Sequence, residues 1–247
     1  MTNFQYELEP IKTTLRFRRF LESVLQMENK KLVFAYWNCQ ALGHPTRLLL
    51  AYHNVDFDEI IYEEDDDWFK RDKPTLNTPF PNLPYIKDGD NIVTESSAVI
   101  QYAALKTGKE ELLGKNHQDA ITAAQIAGVL RDLLKEIFTL ASNKEFATVK
   151  DKVLEEKIAP FFDKLSKALG EKEYCLGYLT YVDFQLAYIF DVAKRINAET
   201  MKKWANLEKH HDRIYGNEGI QKYRKSKNYQ KCFEPPGYLA WDGEETI

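Results

Sequence analysis

Hydrophobic and polar positions along this chain change period twice. Lys31 to Tyr36 (KLVFAY) is an unbroken β-rich run, too short for a helix, and predicts a buried strand. Asn38 to His44 has turn composition, and Pro45 suits the first turn of a helix whose apolar side is Leu48, Leu49 and Tyr52 and whose end is Asn54. Val55 to Tyr62 (VDFDEIIY) alternates with the period of a half-buried strand. An acidic run, Glu63 to Asp67, leads into an irregular stretch from Trp68 to Pro79. Leu83 to Lys87 and Asn91 to Thr94 predict an antiparallel hairpin across Asp88-Gly89-Asp90, and Ser96 to Lys106 a helix. Beyond that the pattern is helical: Gln118 to Thr139, Phe146 to Leu169, Thr180 to Asn197, Met201 to Tyr215 and Gly219 to Lys225.

The order β-α-β, irregular, β-β-α predicts a thioredoxin-like domain, a mixed four-stranded sheet with helices on its faces. Right-handed crossover makes the first two strands parallel, and the tight turn makes the last two antiparallel. Thr107 to Asn116 (TGKEELLGKN) is the expected linker. The predicted organisation is an extension over 1–30, an α/β domain over 31–112 and an all-helical domain over 113–247. Thr180 to Phe184 (TYVDF) has the form of a capping box, with Thr180 as N-cap and Asp183 three residues on. In the extension, Leu15, Phe17, Phe20, Leu21, Val24 and Leu25 line one face of a possible helix among Arg16, Arg18 and Arg19. Glu7, Glu9 and Glu22 argue against an organelle-targeting helix, and no apolar core with a small-residue cleavage site marks a secretory signal. The extension is expected to pack or fray.

Charge narrows the function classes. With 34 basic and 38 acidic residues in 247, the net charge is −4, and no basic patch marks a nucleic-acid surface. No apolar run nears the roughly 20 residues that span a bilayer. Three scattered cysteines, Cys39, Cys175 and Cys232, form neither a disulfide framework nor a metal knuckle, and fit a reducing cytoplasm.

Chemistry concentrates between Phe80 and Ala98 (FPNLPYIKDGDNIVTESSA). A Leu-Pro entering a strand is unusual, because proline donates nothing to the ladder. A cis peptide there would turn the Leu83 N–H and C=O outward to pair with an extended ligand. Glu95-Ser96 then puts a hydroxyl and free backbone N–H groups at a helix amino terminus, which suits a carboxylate. Together these make a peptide-docking strip and an anion hook.

With Tyr36-Trp37-Asn38, Phe80 to Tyr85 (FPNLPY) and TYVDF, the chain resembles the cytosolic glutathione S-transferases, most closely the mu class, over about Lys31 to Trp241. The resemblance implies a thioredoxin-like glutathione-binding domain, an all-α domain and a dimer. It also implies an enzyme that conjugates glutathione to hydrophobic electrophiles in detoxification, with no metal and no cofactor beyond glutathione itself. Tyr36 would be the catalytic tyrosine, since the thiolate is the nucleophile and a donated hydrogen bond lowers the thiol pKa. Leu83, with cis Pro84 and Asn82 beside it, would pair with the cysteinyl unit. Ser96 would take the γ-glutamyl carboxylate, and Glu95 the γ-glutamyl amine, joined by Asp132 from a partner subunit. Trp68 and Lys73, with Trp37, match the residues around the glycyl carboxylate. Trp37, Leu42, Arg131, Lys135, Ser142 and a tail around Trp241 would form the electrophile pocket. Phe80 would plug into the second subunit at the dimer interface.

The chain departs from the family pattern in places. Gln40-Ala41 stands where the family has Arg-Gly, so a polar contact near the site is expected to be missing. The acidic run is shorter than the mu-class loop and lacks its arginine. Ser142 replaces a tyrosine that assists some electrophiles. Two alternatives compete with conjugation. One is a thiol transferase using Cys39, which follows the first strand as reactive thiols do in thioredoxin-like proteins. The other is a non-catalytic glutathione- or ligand-binding relative.

Overall fold

The computed structural model describes residues 31–245; the predictions for the amino-terminal extension lie outside them. β1 (Leu32–Trp37), α1 (His44–Tyr52), β2 (Phe57–Tyr62), β3 (Tyr85–Asp88), β4 (Asn91–Thr94) and α2 (Ser96–Lys106) form the first unit. β1 and β2 are parallel and β3 and β4 antiparallel, as the element order predicted, and an antiparallel β1–β3 pairing completes the sheet order β2-β1-β3-β4. The β1 run is apolar on both faces because Phe34 and Ala35 are both wholly buried. β2 alternates because one face meets solvent. Asn54, at φ +52°, closes α1, and Gly89, at φ +62°, supplies the left-handed turn of the β3–β4 hairpin.

The irregular Trp68 to Pro79 stretch is partly ordered, with a π-type turn over Asp67–Asp72 and a 3₁₀ turn over Lys73–Thr75. Periodicity misses such turns because neither repeats long enough to show a face.

The helical unit comprises α3 (His117–Ala141), α4 (Phe146–Val153), α5 (Ala159–Leu169), α6 (Tyr181–Ile196), α7 (Ala198–Met201), α8 (Ala205–Tyr215) and α9 (Glu218–Arg224). Two predicted helices are corrected. The Phe146 to Leu169 run carries a π-type turn at Leu154–Ile158, just before Pro160, whose missing N–H breaks the regular ladder. Met201 to Tyr215 is broken at Lys202–Trp204, where the α7 turn ends before α8 starts. α6 buries twelve of its sixteen residues, so it is the central helix of this unit, apolar nearly all round. Its start is held by Asp183, which accepts from the Thr180 N–H and hydroxyl, the Cys175 N–H and His210 Nε2 at 2.7–2.9 Å. Cys175, Asp183 and His210 cluster closely enough to suit a cation, but those four bonds already use the carboxylate.

The final segment, 229–245, folds back onto the turn after β1. The N–H groups of Gln40 and Ala41 donate to Cys232 O and Phe233 O at 2.9 Å. Trp241 donates its N–H to Ala141 O at 3.0 Å and stacks on Phe146 at 5.0 Å. Among the described residues no helix is long and apolar enough to cross a membrane.

Candidate active site

Strand register assembles the site. Ala35 pairs with Tyr85, and Tyr85 with Thr94. One residue further along each antiparallel strand, the row across the sheet reads Tyr36, Pro84, Glu95. The Leu83–Pro84 peptide is cis. Three segments separated by up to about sixty residues of sequence thus meet at one sheet edge, and Ser96 begins α2 directly after the row.

Tyr36 is 5% exposed. Its hydroxyl accepts the Leu42 N–H at 3.3 Å, which leaves its own proton to donate. Burial, with Cys39 and Glu234 nearby, pushes its pKa well above that of a free phenol, so it is a neutral donor at any ordinary pH. The ring lies hard against Gly43, where an added Cβ would meet Tyr36 Cδ1 at 2.6 Å. Arg47, wholly buried on α1, stitches the turn together. It pairs with Glu59 at 2.5 Å and donates to Cys39 O at 2.6 Å and Trp37 O at 3.3 Å.

Glu95 holds φ +69° and ψ +120°, a sparsely populated conformation costing about 1–3 kcal/mol for a residue with a Cβ. Asn82 steadies it, donating from Nδ2 to Glu95 Oε1 at 2.8 Å. Asn82 Oδ1 also accepts the Leu83 N–H at 3.0 Å, which corrects the expectation of a freely offered N–H. A short polar side chain one residue away reaches that donor before any distant partner.

Other candidates scatter around this edge. Trp68 is 2% exposed, packed between Tyr62 and Tyr85, so the fold uses most of its ring as core. Lys73 is half-buried with its ammonium 5.3 Å from the Phe69 ring, and Trp37 also packs on Phe69 at 6.0 Å. Asp132 and Lys135 are exposed on α3, and Phe80 is 73% exposed.

The residues expected at the electrophile pocket divide. Leu42 and Arg131 line a cavity of about 220 Å³ between the two units, whereas Trp37, Lys135 and Ser142 do not. Ser142 is exposed, and its hydroxyl is spent on Phe138 O at 2.7 Å. Beside it, Phe138, Phe233, Trp241 and Phe146 stack into a plug. Trp241, partly buried, thus anchors the tail.

Cys39 is wholly buried, and burial together with Glu234 pushes its thiol far above the ordinary range. A nucleophilic cysteine needs the opposite environment, so the Cys39 thiol-transfer alternative is set aside. Gln40 corrects the expectation of a missing polar contact. Wholly buried, it donates to Gln230 O at 2.7 Å and accepts from Arg195 at 2.7 Å, tying the turn to the tail.

Sequence reading missed Gly43, Arg47, Gln185, Tyr188 and Glu234. An arginine in the apolar LLL-bearing helix was the one signal available. Glu234 is 8% exposed with Cys39 Sγ at 4.0 Å, and burial lifts its carboxyl to about 7.

A thioredoxin-like unit with this row at its edge, joined to an all-helical unit, defines a two-domain transferase-like class. Residues 32–105 match the glutathione S-transferase N-terminal domain model, and residues 131–227 the C-terminal domain model. The chain is 32% identical over 199 residues to the class-mu 26 kDa isozyme of glutathione S-transferase from Schistosoma japonicum, covering 80% of this chain and 89% of the relative. It is 31% identical over 207 residues to glutathione S-transferase Mu 1 of Mus musculus, covering 80% and 92%. Among solved structures, the Pi-class glutathione S-transferase of Onchocerca volvulus superposes with a TM-score of 0.69 at 23% identity, covering 78% of this chain and 92% of that one. Rat hPGDS complexed with a quinoline gives 0.67 at 20%, covering 78% and 96%. At those identities the structural matches speak for the fold. This chain belongs to the glutathione S-transferase family.

Proposed function

We propose that the protein binds glutathione along the row Tyr36, Pro84, Glu95 and transfers its thiolate to a hydrophobic electrophile. The row itself carries this reading: a neutral buried hydroxyl, an extended strand entry and a helix amino terminus share one sheet edge. The thiol loses its proton to water, Tyr36 donates a hydrogen bond to the sulfur, and the sulfur attacks carbon. A hydrogen bond to an anion is worth about 1.5–3 kcal/mol, or roughly one to two units of thiol pKa. Leu83 pairs with the cysteinyl unit once Asn82 releases its N–H. Ser96 and the first α2 amides take the γ-glutamyl carboxylate, and Glu95 the amine. Lys73 has no ion-pair partner among the described residues, which supports its role toward the glycyl carboxylate.

A homodimer fits the exposed apolar side chains Phe80, Leu105 and Ile121, the last two on the outer faces of α2 and α3. Asp132 then reaches the γ-glutamyl amine across the interface. The protein works in the cytoplasm with glutathione as co-substrate and no metal.

The test is conjugation of glutathione to 1-chloro-2,4-dinitrobenzene, in which sulfur displaces chloride, between about pH 6 and 8, the range where a lowered thiol pKa is read. Tyr36→Phe is expected to keep the KM for glutathione, lose at least tenfold in kcat and shift the pH profile upward by about one to two units. Cys39→Ser is expected to match wild type. Glutathione binding without turnover would replace the enzyme with a carrier. Loss confined to Cys39→Ser would restore the thiol-transfer reading.

A further inference from the structure

Arg47 holds the first half of the turn after β1 through Trp37 O and Cys39 O, but the second half is held from outside. Ala41 stands at φ +29°, a region that residues with a Cβ rarely enter and keep only where their surroundings fix it. The N–H groups of Gln40 and Ala41 reach to Cys232 O and Phe233 O of the final segment, both at 2.9 Å. One residue on, the Leu42 N–H donates to the Tyr36 hydroxyl at 3.3 Å. The segment 229–245 therefore braces a strained turn directly beside the hydroxyl that the proposed reaction uses.

Two charged side chains clamp that segment. Arg195, in the last turn of α6, has a side chain only 11% exposed, and Asp191 balances its charge at 2.9 Å. Its guanidinium makes three further bonds, to Gly243 O at 2.5 Å, Lys231 O at 3.3 Å and Gln40 Oε1 at 2.7 Å. A fork of this kind joins two stretches of chain at once, which an ammonium cannot do. From its other end, Gln40 Nε2 donates to Gln230 O at 2.7 Å and lies 3.5 Å from Glu245 Oε2. Glu245, 8% exposed, also takes the Arg224 guanidinium and the Tyr229 hydroxyl, and its N–H returns to Lys231 O at 3.0 Å.

We propose that Arg195, Gln40 and Glu245 are positioning residues that aim the Tyr36 hydroxyl at the glutathione sulfur, acting through the tail and the Leu42 amide without touching substrate. The Leu42 bond occupies a lone pair of the hydroxyl and directs its proton outward. Each link is shielded from water, so loosening the clamp is felt at the turn. With the turn relaxed, Tyr36 stays buried but loses its aim. The inference rests on the glutathione-transfer reading and adds the groups that orient its donor.

Arg195→Lys keeps a charge beside Asp191 but cannot serve the other three acceptors together. Glu245→Ala opens the clamp near the chain end, where folds tolerate change best. Each is expected to lower kcat for 1-chloro-2,4-dinitrobenzene about fivefold to tenfold, the worth of one hydrogen bond, with the KM for glutathione unchanged. Thiolate absorbance should show the bound thiol pKa rising by about half to one unit. Asn206→Ala gives the baseline for a purely structural loss. It removes bonds to Ser166 O and Gly170 O between α5 and α8, and should lower Tm while leaving kcat and thiol pKa alone. Clamp variants that lose Tm in the same way but keep wild-type kcat and thiol pKa would overturn the assignment. Hydrogen exchange at the Leu42 amide reads the coupling in the ligand-free protein. It should quicken about fivefold or more in Arg195→Lys and Glu245→Ala but not in Asn206→Ala, and an unchanged rate in the clamp variants would also overturn the assignment. Quickened exchange in a protein that binds no glutathione would leave the clamp setting Tyr36 and refute the transfer reading instead.

Discussion

Gly43→Ala tests how tightly the turn after β1 sets Tyr36. Gly43 sits at φ −83°, which alanine adopts without strain, so backbone preference is not at issue. The obstacle is space. An added Cβ would stand 2.6 Å from Tyr36 Cδ1, 2.9 Å from Cγ and 3.2 Å from Cβ. Carbon atoms prefer about 3.5–4.0 Å, so the ring must withdraw by roughly 1 Å. It has little room, because the Arg47 guanidinium lies 5.8 Å from its centroid and is itself fixed by Glu59 and two carbonyls. Overpacking of this kind costs about 1–3 kcal/mol. Displacing an acting hydroxyl by 1 Å costs on the order of a hundredfold in rate. Urea unfolding should therefore show a stability loss in that range. Steady-state conjugation should lose kcat well beyond what the unfolded fraction explains, and thiolate absorbance should show the bound thiol pKa moving up toward that of free glutathione. A variant with the expected loss of stability but unchanged kcat and thiol pKa would refute tight positioning of Tyr36. A variant changed in neither would mean the ring does not lie against Gly43 at all.

Two further outcomes follow from buried carboxyls. Glu234 titrates at about 7 in the fold against about 4.5 in the unfolded chain. The folded state holds the proton more tightly, so the stability this confers is complete below about pH 4.5 and is lost as pH rises through 7, by no more than about 3 kcal/mol. Glu234→Gln stays neutral, so its Tm should overtake that of wild type between about pH 5 and 8; parallel Tm curves would show the carboxyl already solvated. Asp183→Ala would strand the buried N–H groups of Thr180 and Cys175 together with His210, and is expected to cost about 3–5 kcal/mol, read as loss of soluble protein or a Tm drop above 10 °C; a drop within experimental error would show that the start of α6 is held by packing alone.

The sequence by itself determined the parallel β1–β2 pair, the hairpin across Asp88 to Asp90 and the α6 cap at Thr180 and Asp183. These are local or strictly periodic features: a period of two or 3.6 shows which face is covered, and turn residues dictate their own dihedrals. Tyr36, Pro84 and Glu95 were named from the family resemblance, but their alignment in one row needed the β1–β3 register that only the structure gives. The tertiary structure decided what covers each face. Burial turned Cys39 from a plausible nucleophile into inert core and made Trp68 mostly packing. It also lifted Glu234 beside the site from the far end of the chain. Gln40 meets Arg195 across 155 residues and Glu245 across 205, distances at which no local pattern records a contact. The cavity between the two units likewise exists only where α1, α2, α3 and α6 converge. That the buried Tyr188 hydroxyl lacks a partner likewise depends on side chains from elements far apart in sequence.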